Sequence, residues 1–140
     1  MGPTMAEDDF DAEWRFVLAL YARPDVAPAC LRLQDELGVD VTVLLHVVWL
    51  HCAHGLAADP AALQALDLSV RAWRREVVEP LRRMRRSLKE APHPVAPALL
   101  GATRQRVAEA ELSAEQCAFT LLASVPWPDP APRLEDAGPS

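Results

Sequence analysis

The sequence predicts an all-α fold: a single compact bundle of five to seven helices, one of them long, basic and kinked at a proline. Three observations predict it. Apolar residues recur at three- and four-residue spacings along most of the chain, which places them on one face of a helix. The thirteen prolines and five glycines mostly fall between those stretches, as punctuation. No run gives a convincing strand. A length of 140 residues fits one domain with a real core.

The elements follow in order. Residues 1–9 read as an acidic, flexible leader: the first thirteen residues carry five acids and no base, which also argues against a signal peptide. Residues 10–124 form the helical domain. Trp14, Val17, Leu18 and Tyr21 share the face of a first helix over 11–22, which Pro24 stops. A second helix starts within Asp25–Pro28, where proline costs little, and Gly38 ends it in a left-handed cap. Asp40 caps a third helix through VTVLLHVVWL (41–50), with Gly55 beyond its end. That apolar run is about half the ~20 residues a membrane span needs, so it reads as a buried helix. Asp59-Pro60 starts a short helix through Leu66, and Asp67 or Ser69 then caps the long basic helix, which runs to about Ala91. APHPVAP forms a bend. A final helical region covers 97–124, with a capping-box pattern at Ser113 and Gln116 that would divide it. The tail 125–140 is proline-rich with little to bury, and is expected to be disordered.

Two strings carry a resemblance: FDAEWRFVLALYARPDVAPACLRLQDELGVDVTVLLHVVWL (10–50) and WRREVVEPLRR (73–83), with weaker agreement at ELSAE (111–115). Together they resemble a family of small proteobacterial proteins catalogued as domain of unknown function 2390. The resemblance spans about residues 10–120 and implies a helical bacterial cytoplasmic protein. It implies no activity and no catalytic residue. His46 stands where such proteins commonly carry an aromatic residue, so any role of that histidine would be particular to this chain.

The residues themselves offer little chemistry. His46, His51, Cys52 and His54 fall within nine positions, but only His51 and His54 have the spacing that converges on one helix face, so no metal site is assigned. No strained nucleophile turn and no glycine-rich phosphate loop is present. The leader lacks the pattern of a calcium loop. No catalytic residue and no cofactor is nominated. The three cysteines (Cys30, Cys52, Cys117) are an odd number among apolar neighbours, read as small reduced core residues in a cytoplasmic protein. Asp35, Glu36 and Asp40 flank a glycine turn and read as caps and surface charge.

The basic helix is the strongest candidate surface. At ~100° per residue, Val70, Trp73, Val77, Leu81, Met84 and Leu88 form one apolar stripe. Arg71, Arg75, Arg82, Arg86 and Lys89 form a ridge roughly 27 Å long on another side. Arg74 and Arg85 lie nearer the apolar edge. Pro80 removes a hydrogen bond and crowds the Glu76 carbonyl, which predicts a kink. The leading expectation is a small cytoplasmic helical adaptor that uses this ridge and the adjacent apolar surface to hold an acidic protein partner. A ridge left to solvent and internal ion pairs is one alternative, and a nucleic-acid partner on the same ridge is another. The latter is less favoured because the chain carries a net charge of −6 and no aromatic residue interleaves the arginines for base stacking. A further reading is a small-molecule-binding or enzymatic bundle with an apolar pocket lined by Trp14, Trp49 and Trp73. No membrane association is expected.

Overall fold

In the computed structural model, which describes residues 3–126, helix follows helix: α1 (Pro3–Tyr21), α2 (Val26–Leu37), α3 (Val41–His54), α4 (Pro60–Trp73), a π-helical turn (Arg74–Val78), α5 (Glu79–Glu90) and α6 (Pro97–Ala123). There is no strand among the described residues, and the architecture is all-α. The proline-rich tail from residue 127 onward lies outside the described residues, as do the first two residues of the leader.

The local signals explain most boundaries. Gly38 and Gly55 take left-handed conformations (φ 65° and 66°). Each donates its N–H to the carbonyl four residues back, while the next residue reaches six back. This double bond pattern closes a helix and needs a backbone that only glycine adopts without strain. Asp40 accepts from the Thr42 and Val43 N–H groups, and Asp59 from Ala62, so both are the N-caps the sequence predicts. Asp25 makes no side-chain cap.

Elsewhere tertiary packing overrides local signals. α1 begins at Pro3, so the backbone of residues 3–9 continues the first helix N-terminally. The short helix expected to stop at Leu66 does not stop. Ala62, Leu66 and Val70 form one buried stripe at four-residue spacing, and a break at Asp67 would pull it apart. Asp67 therefore serves as an ion-pair partner instead of a cap, and the Ser69 hydroxyl donates to the Leu66 carbonyl within the helix. α4, the π turn and α5 are consecutive without a break over residues 60–90. α6 likewise runs unbroken through Ser113, because Glu111, Ala114, Ala118 and Leu122 lie buried along its length.

The core joins four helices: Val17 of α1, Leu45 of α3, Leu66 and Val70 of α4, and Ala118, Phe119 and Leu122 of α6. Trp14 packs edge-on to Phe119 with ring centroids 5.8 Å apart. α5 lies along α6, and Trp73 ties the long helix to α6 by donating its indole N–H to the Ala114 carbonyl at 2.8 Å. Only Cys30 is buried; Cys52 and Cys117 are exposed, which corrects the expectation that all three are core residues. Both lie on helix faces that no other described element covers, although their sequence neighbours are apolar.

The π turn has a specific cause and a specific consequence. In an α-helix, Pro80 would leave the Glu76 carbonyl unbonded and crowd it. The wider turn adds one residue, and the Glu79 N–H reaches the Arg74 carbonyl five positions back. One extra residue advances the inward face by one position, roughly 100°. The buried residue is accordingly Val78, not Val77. Met84, expected on the apolar stripe, is 48% exposed, while Arg82 and Arg85 are turned inward.

A candidate binding cleft

An open cleft of about 960 Å³ lies between α1, the α2–α3 turn, the π-bulged helix and α6. Its back wall is apolar core: Val17, Leu45, Val70, Val78 and Phe119 all face it and are themselves buried. Its mouth is also apolar but uncovered. Leu18, Tyr21 and Leu112 line it and are 47%, 39% and 47% exposed.

Two ion-pair networks hold the walls. In the first, Arg74 at the start of the π turn bridges Asp40 and Asp67, with its Nη2–H donating to Asp67 at 2.9 Å. Asp40 thus does two jobs. One oxygen caps α3, with the Thr42 N–H at 2.8 Å, and the other holds Arg74. Arg71 adds a bond to Asp67 at 2.7 Å. That bond holds the Asp67 carboxyl below its ordinary pKa range; burial works against it and Arg74 assists. For Arg74, burial disfavours the charge but the bonds to Asp67 and Asp40 outweigh it, and its pKa is raised.

In the second network, Arg82 and Arg85 of α5 converge on Glu111 of α6, at 3.2 Å and 2.5 Å. Arg82 also reaches Glu115 at 3.5 Å. Glu111 is buried, and two guanidiniums on one carboxylate supply the partners that a buried charge requires. Glu115 is pushed above the ordinary carboxyl range, first by burial and then by its neighbour Glu111, with Arg82 pulling the other way. Burial likewise raises the Tyr21 phenol, with Cys30 and Glu115 acting in the same direction, so the phenol stays neutral.

A third side-chain pair lies deeper in the bundle. His46 Nδ1 and Glu13 Oε2 share a hydrogen bond of 2.5 Å, with side chains 5% and 2% exposed. The pair joins α1 to α3. The indole nitrogen of Trp49, one turn further on, is buried without a hydrogen-bond partner among the described residues.

The arginine ridge is divided. Arg82 is drawn into the second network; Arg71 pairs with Asp67, and Arg75 makes only an exposed 3.6 Å contact with Glu76. Arg86 and Lys89 are exposed and have no ion pair among the described residues. The cleft takes in one of the three tryptophans. Trp14 lines the cleft, Trp49 packs against Phe16 and His54, and Trp73 bonds to α6. Arg74, Arg85, Glu111 and Glu115 join the site although the sequence patterns nominate none of them. One signal for them was present: Glu111 and Glu115 are four apart on one helix, and Arg82 and Arg85 three apart on another, spacings that place each pair on one face.

The model of a family described as "Protein of unknown function (DUF2390)" matches residues 12–122. The chain belongs to this family. No curated protein and no solved structure matches it. The DUF2390 match covers both networks, the buried Glu13–His46 pair and the whole cleft, so the candidate site lies within the family's shared region. Among the described residues of this DUF2390 protein, no helix is long and apolar enough to cross a membrane.

Proposed function

We propose that this protein is a bacterial cytoplasmic adaptor that works by protein–protein contact, and that the contact is made in the cleft. One observation carries the reading: a cleft with an apolar back wall whose sides are pinned by ion pairs while its mouth leaves Leu18, Tyr21 and Leu112 uncovered. Large apolar side chains gathered at one concave place mark a surface that another molecule covers. Pinned walls lower the ordering cost of binding. In this reading Arg74, Arg82 and Arg85 build the cleft, and their charge is consumed by Asp40, Asp67, Glu111 and Glu115 instead of being offered to a partner. Three cysteines with no disulfide between them fit a reducing compartment.

The test is site-specific photo-crosslinking in cells, with the crosslinker placed at Leu112 in the cleft mouth, at Arg86 on the exposed side of α5, and at Arg104 as a control. Protein adducts that form from position 112 and are absent from 104 are the expected result. Adducts from 86 alone would move the contact to the arginine ridge. No protein adduct from either position would overturn the adaptor reading.

A further inference from the structure

Resting on the protein-contact reading, we infer that the cleft accepts a basic amphipathic helix: a segment with an apolar stripe for the cleft and flanking lysines or arginines for its rim. This reverses the charge of the partner that the arginine-rich sequence suggests.

Seven carboxylates line the cleft against three guanidiniums, a surplus of four in a chain whose whole net charge is −6. The three guanidiniums are already committed to Asp40, Asp67, Glu111 and Glu115. Asp35 of α2, Glu79 of α5 and Glu109 of α6 line the cleft with no cation partner among the described residues. They come from three different elements, so the surplus surrounds the opening and is not one local run. An acidic segment would meet repulsion from three directions; a basic one meets complementary charge from each.

Shape and edges select the helix. The volume is at the upper end of small-ligand pockets, enough for several side chains. The described residues contain no strand, so a partner has no sheet edge to extend. A groove walled by helices suits an apolar helix face laid along it, with flanking basic residues against the carboxylates at its rim. Leu18 and Tyr21 belong to α1 and Leu112 to α6, so the uncovered apolar side chains come from two helices. Burial and the adjacent Glu111 carboxylate also hold Glu115 above its ordinary range, and an approaching ammonium or guanidinium would relieve that cost.

The experiment uses the full chain and three fluorescently labelled peptides of equal length, read by anisotropy at low and moderate salt. One carries a leucine stripe flanked by lysines; the second has every lysine replaced by glutamate; the third scrambles the first. Two variants accompany the wild type: Asp35→Asn/Glu79→Gln/Glu109→Gln, which removes the free carboxylates but no ion pair, and Leu112→Ser. Circular dichroism and melting confirm that both remain folded. Expected is binding of the lysine peptide at least about tenfold tighter than the other two, weakened about tenfold by each variant. Its salt dependence should flatten in the triple variant alone. Equal or tighter binding of the glutamate peptide overturns the inference. So does binding that neither variant changes, or no binding of the lysine peptide at low salt. Any of these leaves the cleft crosslink of the preceding section standing on its own result, so failure of the partner chemistry is distinguishable from failure of protein contact.

Discussion

Replacing Glu111 with alanine is expected to destabilise the fold by about 2–3 kcal/mol. The side chain is 9% exposed and holds Arg85 at 2.5 Å and Arg82 at 3.2 Å. Its removal leaves two guanidiniums pointing into a wall built for a carboxylate, with only the more distant Glu115 to receive Arg82. Breaking a fully buried pair by deleting one partner costs about 3–5 kcal/mol. The arginine side chains here are 22% and 34% exposed, so water takes part of the demand and the expected loss falls below that range. For a domain of this size each kcal/mol lowers Tm by about 4 °C, which gives a drop of about 8–12 °C. Urea and thermal unfolding followed by circular dichroism provide the measurement, and a double-mutant cycle with Arg85→Ala should return a coupling of about 2 kcal/mol. The control is Arg75→Ala. The Arg75–Glu76 contact is 3.6 Å long with both side chains 66% exposed, and should change stability by less than about 0.5 kcal/mol. A Glu111→Ala protein as stable as the wild type, or no more destabilised than the Arg75 control, would refute the claim that inward arginines brace α5 against α6.

Three further expectations follow from the same geometry. Val78→Ala should cost about 2 kcal/mol and clearly more than Val77→Ala, because the π turn buries Val78; equal costs measured by urea unfolding would contradict the shifted register. Glu115 has a raised carboxyl pKa, so the folded state holds its proton more tightly than the unfolded chain and stability falls as pH rises from about 4.5 through the folded value. Glu115→Gln should therefore raise Tm at pH 7, with the gain vanishing below the ordinary glutamate range; a Tm that falls at both pH values would show that the Arg82 contact dominates. Under native conditions Cys52 and Cys117 should react rapidly with a thiol reagent while Cys30 is protected, both by burial and by the upward shift that burial gives its thiol, and mass spectrometry of the modified peptides reads the difference.

Local physics made much of this protein legible in advance. The glycines at 38 and 55 and the caps at Asp40 and Asp59 act through backbone conformation and hydrogen bonds a few residues away, so the sequence by itself determined where those helices begin and end. It also determined the all-α class, since the apolar spacing leaves no other face to bury. The tertiary structure decided what is continuous and which way the charges point. Whether Asp67 caps a helix or salts a longer one depends on the stripe of Ala62, Leu66 and Val70 having a core to enter, which is information held by α1, α3 and α6. The arginine ridge turned on a single backbone event. An ideal ~100° rotation places Arg82 on the outer ridge, but the wide turn before Pro80 inserts one residue and carries Arg82 and Arg85 inward to Glu111. Pro80 accounts for the wide turn, but Glu111 and Glu115 of α6 are what receive the arginines it turns inward, and no count along one helix contains them.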